Sequence, residues 1–296
     1  MASITATDRF EQYLATERRY SVHTLIAYKE DLSQFFSFAE IDSDAALTEV
    51  NHQLIRGWMV SLMEEKLTAR TVSRKLSCLR SFFNWCRSEK LITDNPMLKI
   101  RAPKIEKRLP QFVKQTELEP SRIAPLFAGN FEGLRDKLML ELFYQTGIRL
   151  SELLTLKEVN VSSAQIKVLG KRNKERIIPI GYALAAAIDD YRKLKPEGPD
   201  SDEFLFVKKD GKKLTPKFVY RKINNYLGSV TNLDKRSPHI LRHTFATHML
   251  NTGAGLETLK ELLGHASLAA TQVYTHNSFA QINSIYSQAH PRGHKK

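Results

Sequence analysis

The sequence predicts a mainly helical fold in two domains, the second of which also carries a small antiparallel sheet. Through the first hundred residues, apolar side chains recur at intervals of three and four, the spacing of the buried face of a helix. Two short apolar runs, at 166–170 and 176–180, are joined by the polar turn KRNKE and predict two paired strands. Residues 101–119 contain two prolines and no clear period, which indicates a linker between the domains.

Four helices are expected in the first domain, the third of them over residues 49–66. Ser21 and Thr68 precede the second and fourth helices and are suitable N-caps. The fourth helix also has a polar side, which would be a solvated surface in most proteins and a DNA contact beside a DNA-cutting domain. The residues of this side predicted to contact DNA are Arg70, Thr71, Arg74 and Lys75.

The domain limits follow from these patterns. Residues 1–103 are predicted to form the N-terminal helical domain, 104–115 the linker and 116–296 the C-terminal domain. The two cysteines, Cys78 and Cys86, share a predicted helix and would lie about 12 Å apart, which is too far for a disulfide. Free cysteines and an N-terminus without a secretory signal favour a cytoplasmic protein.

Charge indicates the kind of partner. The formal net charge is +13, with 17 Lys and Arg against 14 Asp and Glu in residues 1–110, and 28 against 18 in residues 111–296. A basic protein of this kind favours a polyanion, and the second domain should make most of the phosphate contacts. The sequence contains no run of about 18 apolar residues, so no membrane span is expected.

The second domain opens with helical segments interrupted by a turn. Thr146 and Gly147 are expected to end one helix, and Arg149 to begin the next, where its side chain can point into a cleft. Glu152 lies three residues further on and is an available ion-pair partner. Residues 204–208 predict a further short strand, and Thr215 is expected to cap the helix after it.

The stretch 237–276 concentrates polar residues at helix ends. Ser237 and Pro238 predict a helix start, which places His239 and Arg242 on one face of its first turn. Gly264 is a suitable helix C-cap, and His265 follows it. Tyr274 is expected near the end of one more short helix. Helix starts favour anions, so this arrangement suits a phosphate.

These residue types fit the cleavage of a phosphodiester. Negative charge builds on the phosphate oxygens during attack, and the planar guanidinium groups of Arg149 and Arg242 can neutralise it. Tyr274 could attack phosphorus if His239 or His265 accepted its proton. Lys171, in the basic turn between the two strands, could protonate the leaving alkoxide. This chemistry requires neither metal nor other cofactor.

A metal site is the alternative for part of this stretch. His239 and His243 have the i,i+4 spacing of a helical zinc pair. The HExxH pattern is missing, and a cationic arginine lies between the two histidines, which disfavours a divalent ion. His243 and His248 are therefore interpreted as packed or hydrogen-bonded residues.

Five segments of the second domain resemble the tyrosine site-specific recombinase (phage integrase) family, and within it the Xer type. They are TGIRLSELL (146–154), LGKRNKERIIPI (169–180), SPHILRHTFATHML (237–250), ELLGHASLAATQVYTH (261–276) and QINSIYSQAHPR (281–292). The first domain resembles the SAM-like core-binding domain of the family. The implied fold is thus a helical core-binding domain followed by a mostly helical α+β catalytic domain.

The resemblance assigns a role to each candidate. Arg149 and Arg242 would hold the non-bridging phosphate oxygens, and His265 would hydrogen-bond one of them. Lys171 would protonate the 5′-hydroxyl, His239 would accept the tyrosine proton, and Tyr274 would form a 3′-phosphotyrosyl link. The turn departs from the family pattern, because Arg172 follows Lys171 where glycine is usual, and Lys174 is then an alternative general acid. Arg172 and Lys174 are also predicted DNA contacts.

The family implies double-stranded DNA and a tetramer as partners. Four protomers, of one kind or of two related kinds, would act on two DNA sites, and a tail helix over 278–288 would dock on a neighbouring protomer. The apolar stripe of this tail could equally pack on its own domain. The expected function is resolution of chromosome or plasmid dimers at cell division. A mobile-element integrase, a DNA-binding protein without catalysis and a relaxing topoisomerase are the alternatives.

Overall fold

The structure, a computed structural model, describes residues 5–105, 111–170, 175–264 and 285–292. The chain forms two compact units, Met1–Arg108 and Leu109–Lys296. Each unit has its own hydrophobic core. The narrower limits predicted for the domains and linker stay predictions.

The described part of the first unit contains four α-helices and two short 3₁₀ helices. The α-helices are α1 (Thr5–Thr16), α2 (Val22–Phe38), α3 (His52–Glu64) and α4 (Ala69–Ser88), and the 3₁₀ helices are Ala45–Glu49 and Pro96–Lys99. Aromatic side chains fill the core, where Phe82 packs edge-on against both Phe10 and Phe36. Cys78 and Cys86 are buried free thiols in this core, as predicted.

The predicted caps of the second and fourth helices are confirmed. Ser21 Oγ accepts a hydrogen bond from Thr24 N, and Thr68 Oγ1 accepts one from Thr71 N. The predicted start of the third helix is wrong by three residues. The side chain of Asn51 accepts hydrogen bonds from the next turn, so it caps α3, and the residues before it form the separate 3₁₀ helix.

The second unit is built around one buried helix. Its described helices are α5 (Pro120–Ile123), α6 (Phe131–Thr146), α7 (Leu150–Leu154), α8 (Tyr182–Leu194), α9 (Pro216–Val230), α10 (Pro238–Asn251) and α11 (Leu256–Leu263), with 3₁₀ turns at Gln115–Leu118, Ala124–Leu126 and Glu158–Asn160. From Leu138 to Thr146 every residue of α6 is buried, because α8, α9 and α10 all pack against it. As predicted, Thr215 Oγ1 caps α9.

The sheet has two antiparallel strands, β1 (Gln165–Leu169) and β2 (Glu175–Pro179). Both begin one residue earlier than predicted, and Lys167 pairs with Ile177 at the centre of the register. The mainly helical fold with a small antiparallel sheet is thereby confirmed. The strand predicted at 204–208 is wrong. Phe204 and Val207 form only isolated bridges, to Lys157 and Lys213, and no ladder extends from them.

Residues 285–289 are helical, and Tyr286 and Ala289 lie in the core of the second unit. Tyr286 is buried and stacks on His290, whose ring also lies against Tyr144 of α6. The described part of the tail therefore packs on its own unit. The rest of the predicted tail helix lies outside the described residues. Among the helices described, none is long and apolar enough to cross a membrane.

Candidate active site

A glycine turn connects α6 to α7, as predicted. Gly147 has φ of 59°, in the left-handed region, and a Cβ there would lie 2.6 Å from the Phe245 ring. Glycine therefore meets both the conformational and the packing requirement. The turn makes Arg149 the N-cap residue of α7.

Arg149 is tied to Glu152, the partner expected from the spacing. The Arg149 backbone N–H donates to Glu152 Oε2 at 2.7 Å, and Nη1 donates to Oε1 at 2.8 Å. Nη2 donates to the Gly264 carbonyl at 3.1 Å, which joins the start of α7 to the end of α11. The side chain keeps 33% of its surface exposed, so a ligand can reach it.

Arg242 lies in the first half of α10, whose start Ser237 caps through Ile240 N. Its Nη1 donates to the Gly147 carbonyl at 2.5 Å, and its Nη2 to the Leu263 carbonyl at 2.6 Å. Burial lowers the pKa of Arg242 to about 10, with further contributions from the charges of Arg149 and Arg176. The group is still a cation at neutral pH.

A third arginine, Arg176 of β2, belongs to the same cluster and was not predicted from the sequence. It is 4% exposed, and its Nη1 and Nη2 donate to the two oxygens of Glu152 at 2.6 and 2.8 Å. Its Nε donates to the Leu262 carbonyl at 2.8 Å. The sequence did contain a signal for this residue, because Arg176 is a cation in the otherwise apolar run RIIPI and a buried cation requires a partner.

Glu152 is the carboxylate that receives both Arg149 and Arg176. Burial raises its pKa, but the hydrogen bonds and charge of Arg176, together with those of Arg149, outweigh burial and leave the pKa below its usual value. The carboxylate is 3% exposed and ionised at neutral pH. Among the described residues, this carboxylate binds two of the three guanidinium groups, and the third, Arg242, binds backbone carbonyls. Positive charge therefore exceeds negative charge in the described part of the cluster, and an anion would neutralise it.

The three arginines converge on three successive carbonyls at the end of α11. Leu262, Leu263 and Gly264 accept from Arg176, Arg242 and Arg149 respectively. Gly264 ends the helix in the left-handed conformation, with φ of 63°, so the predicted C-cap is confirmed. Cations are favourable at a helix C-terminus, where carbonyl groups have no partner in the helix.

His239 is exposed on the first turn of α10. Its Nε2 lies 3.0 Å from Nε2 of His243, so one ring donates and the other accepts. Burial, then the charges of His243 and Arg242, lower the pKa of His239 below its usual value, which keeps the ring mainly neutral at pH 7. A neutral imidazole can accept a proton.

The interpretation of the two neighbouring histidines as hydrogen-bonded residues is confirmed. His243 bonds to His239, and His248 Nδ1 lies 3.1 Å from the Tyr144 hydroxyl. Within the described residues, no group of three or more His, Cys, Asp or Glu side chains is arranged to hold a metal ion.

The structure therefore brings Arg149 and Arg242 together at the end of α11 and places His239 one helical turn before Arg242. Lys171, His265 and Tyr274 lie outside the described residues, as do Arg172 and Lys174. Gly264 is the last described residue before His265. In the sequence, His265 directly follows Gly264, whose carbonyl accepts a hydrogen bond from Arg149.

The predicted DNA-contacting residues of α4 differ in accessibility. Arg70 and Arg74 are exposed, Thr71 is half-buried beside its cap, and Lys75 is 5% exposed. Lys75 Nζ donates to Asp31 at 2.9 Å and to Gln34 at 2.5 Å. A direct DNA contact by Lys75 does not fit this position, because its ammonium group neutralises a buried carboxylate. Contacts by the other three residues stay predictions.

Two family models match the chain. The model of the phage integrase family covers residues 115–281, and that of the phage integrase N-terminal SAM-like domain covers residues 7–90. Together they follow the order of the two units. The first match spans more than half of the chain.

Curated relatives match over almost the whole length. Tyrosine recombinase XerC of Staphylococcus haemolyticus is 39% identical over 97% of this chain and 97% of its own. Tyrosine recombinase XerC of Bacillus subtilis is 36% identical over 97% of this chain and 96% of its own. The alignments therefore contain both units.

Solved structures share the fold at lower identity. XerH recombinase in a post-cleavage complex on its palindromic difH substrate has a TM-score of 0.68 at 20% identity, over 96% of this chain and 82% of its own. A lambda integrase dimer on a COC′ core site has a TM-score of 0.68 at 20% identity, over 91% and 98%. The resemblance read from the sequence is confirmed, and the chain belongs to the phage integrase family of tyrosine recombinases.

Proposed function

We propose that this protein is a site-specific DNA recombinase that cuts and rejoins strands through a 3′-phosphotyrosyl link and resolves chromosome or plasmid dimers. Its relatives at 36–39% identity carry the name tyrosine recombinase XerC, which supports recombination and favours the dimer-resolving role over a mobile-element integrase. DNA in the cytoplasm is then the substrate. The roles of individual residues below are part of the proposal.

The observation that carries the proposal is the arginine cluster at the end of α11. Attack on a phosphodiester places extra negative charge on the non-bridging oxygens, and preorganised cations stabilise that charge. Arg149 is accessible to a ligand and binds the Gly264 carbonyl, and Arg242 binds the adjacent carbonyl, that of Leu263. Among the described residues of the cluster, Glu152 is the one carboxylate beside three guanidinium groups, and the scissile phosphate would supply further negative charge.

The chemical step divides among the remaining residues. The Tyr274 hydroxyl attacks phosphorus and passes its proton to His239, while Lys171 donates a proton to the departing 5′ oxygen. A phosphotyrosyl ester replaces the phosphodiester, so the reverse attack by a 5′-hydroxyl rejoins the strand without ATP. His265 would hydrogen-bond a phosphate oxygen.

The partner is a double-stranded recombination site held by several protomers. Lambda integrase has been solved as a tetramer bound to a Holliday junction, with a TM-score of 0.68 to this chain. We extend the same assembly to this protein, as a tetramer of one or two kinds of protomer. Exchange of the tail between protomers would involve the residues before 285, because Tyr286 is buried in its own unit.

Replacing Tyr274 by Phe tests the proposal. The target is found first, by sequencing DNA ends that remain on the denatured protein after expression in cells. On a nicked duplex of that sequence, the wild-type protein should give an adduct that survives a denaturing gel. Tyr274→Phe should bind the duplex with unchanged affinity and give no adduct, because it lacks the attacking oxygen. Tyr220→Phe, which alters an exposed tyrosine of α9, is the matched control.

An adduct formed by Tyr274→Phe would contradict the proposal. Trapped ends that map to many unrelated sites, rather than to one chromosomal or plasmid site, would contradict the dimer-resolving role. The wild-type adduct should also form in excess EDTA. Loss of cleavage there, with recovery on adding Mg²⁺ or Zn²⁺, would show that a metal takes part.

A further inference from the structure

Arg176 is the arginine of the cluster that has no predicted contact with DNA. It is 4% exposed, and each of its three nitrogens is in a hydrogen bond, to the two oxygens of Glu152 and to the Leu262 carbonyl. We propose that Arg176 is a positioning residue for strand cleavage, which sets the orientation of Arg149 and of the chain that leads to His265. The inference rests on the proposed function.

The contacts of Glu152 show how Arg176 would act on Arg149. Oε1 accepts from Nη1 of Arg149 and from Nη1 of Arg176, at 2.8 and 2.6 Å. Oε2 accepts from the Arg149 backbone N–H and from Nη2 of Arg176, at 2.7 and 2.8 Å. Both carboxylate oxygens are thus shared, so the plane of the carboxylate, and with it the Arg149 guanidinium, is fixed by the fork of Arg176.

A second contact extends the same control to α11. Arg176 Nε donates to the Leu262 carbonyl, and Arg242 and Arg149 take the next two carbonyls. A Cβ on Gly264 would lie 3.2 Å from Arg176 Cδ, so the arginine stem also packs against the helix cap. Arg176 therefore helps to fix the backbone from which His265 departs.

Arg176 also connects α7 and α11 to β2. It is the second residue of β2, and Lys171 lies five positions before it in the preceding turn. One side chain therefore touches α7 and α11 from the strand that follows Lys171. A displacement of about 1 Å at the reacting groups can reduce a rate by about 10²-fold, so a shared anchor of this kind affects rate more than affinity.

The side chain must be arginine for this role. Lysine keeps the positive charge, but it cannot contact both oxygens of Glu152 and the Leu262 carbonyl with fixed geometry. Arg176→Lys therefore separates charge from positioning. Arg176→Met removes both while retaining much of the apolar stem.

The experiment measures single-turnover cleavage of the nicked target at saturating protein, DNA affinity by fluorescence anisotropy, and the urea midpoint. The variants are Arg176→Lys and Arg176→Met. Arg192→Lys is the control, since Arg192 of α8 also binds a glutamate with two nitrogens, Nε and Nη2, which donate to Oε2 of Glu158 at 3.1 and 2.9 Å. We expect Arg176→Lys to fold, to bind DNA within about threefold of wild type, and to cleave about 10²-fold more slowly. Arg192→Lys should cleave at the wild-type rate.

Three results would overturn the inference. The first is a folded Arg176→Lys that cleaves like Arg192→Lys, and the second is an equal loss of affinity and cleavage. The third is failure of both Arg176 variants to fold, which would make Arg176 a purely structural residue. Absence of any adduct from the wild-type protein and from Arg192→Lys would instead contradict the proposed function.

Discussion

The arginines of the site differ in what they can offer to a phosphate. Arg149 has 33% of its side chain exposed, and its bond to Gly264 is the longest of its hydrogen bonds, at 3.1 Å. Arg242 is 7% exposed and makes shorter bonds to Gly147 and Leu263. Arg149 can thus give up its contact with Gly264 to an incoming anion while Glu152 keeps its guanidinium in place.

Arg149→Ala should slow cleavage by about 10²- to 10³-fold while DNA affinity falls by less than about tenfold, because a contact that strengthens in the transition state affects rate first. Single-turnover cleavage and anisotropy on the same duplex measure the two effects. Arg122→Ala, which removes an exposed arginine of α5, is the control. Equal losses of rate and affinity would assign Arg149 to ground-state binding.

The pair of imidazoles predicts a pH effect. A general base must be deprotonated, so cleavage falls as the pH drops through the pKa of His239. Burial lowers that pKa first, and the charge of His243 lowers it further. His243→Gln removes the second contribution, so the pKa of His239 should rise and the acid limb of the pH–rate profile should move to higher pH.

Single-turnover rates between about pH 5 and pH 8 would show this change, because that interval covers the usual titration range of histidine. His52→Gln, at the first residue of α3 in the other unit, should leave the limb in place. A limb that stays fixed or moves to lower pH in His243→Gln would count against His239 as the proton acceptor.

Residue-level prediction from the sequence succeeded where partners lie close along the chain. Glu152 was expected as the partner of Arg149 from a spacing of three, and the structure confirms the pair. Arg176 was missed because its partners, Glu152 and the Leu262 carbonyl, are 24 and 86 residues away. A period or a cap cannot reveal a contact of that separation.

Among the elements, helix starts were predicted best, because a cap depends on a few consecutive residues. Ser21, Thr68, Thr215 and Ser237 all accept the expected backbone hydrogen bond. The run at 204–208 failed because a strand requires a partner along its length, and Phe204 and Val207 bridge to different segments. Lys75 is buried whereas Arg70 and Arg74 of the same helix are exposed, and this difference in burial is not visible in the helical pattern of the sequence.

The tail is an element held by a buried histidine. His290 is fully buried, with Nε2 3.3 Å from the Tyr144 carbonyl and Nδ1 accepting from Arg292 N at 3.1 Å. Burial lowers the pKa of His290 to about 4. The folded state therefore favours the neutral ring, and protonation favours unfolding.

The sign of the pH dependence follows. The contribution of neutral His290 to stability is complete above the unfolded pKa near 6.5 and is lost as the pH falls toward 4. The shift corresponds to at most about 3 kcal/mol. Urea midpoints between about pH 7 and pH 4.5 should fall less steeply for His290→Gln than for wild type. An unchanged slope would show that His290 is not a buried neutral group.

Over the whole molecule, the net positive charge is larger in the second unit, with 28 Lys and Arg against 18 Asp and Glu in residues 111–296, but the first unit is predicted to contact DNA through α4. Arg70→Gln should weaken DNA binding and reduce the slope of log affinity against log salt by about one. Lys75→Met should instead reduce stability, by about 1–3 kcal/mol, because Asp31 loses its buried partner and keeps the exposed Arg74. Salt titrations and urea unfolding of both variants would separate the two roles. A large loss of salt dependence in Lys75→Met with unchanged stability would reverse them.

At this scale the order of five motifs was sufficient to predict the family. Each motif alone is only moderately specific, but five motifs in the same order are specific together. It was also sufficient to place Arg149 and Arg242 in one cluster, as the structure confirms. The assembly of Lys171, His265 and Tyr274 around that cluster stays a prediction. It depends on segments that lie outside the described residues.

Mass spectrometry of the protein–DNA adduct tests the central claim most directly. The wild-type protein is trapped on its nicked target, digested with protease and nuclease, and the linked peptide is sequenced. The account predicts a single modified peptide, with the phosphate of a 3′ end esterified to the Tyr274 oxygen. Attachment to any other side chain, or to a 5′ phosphate, would contradict it.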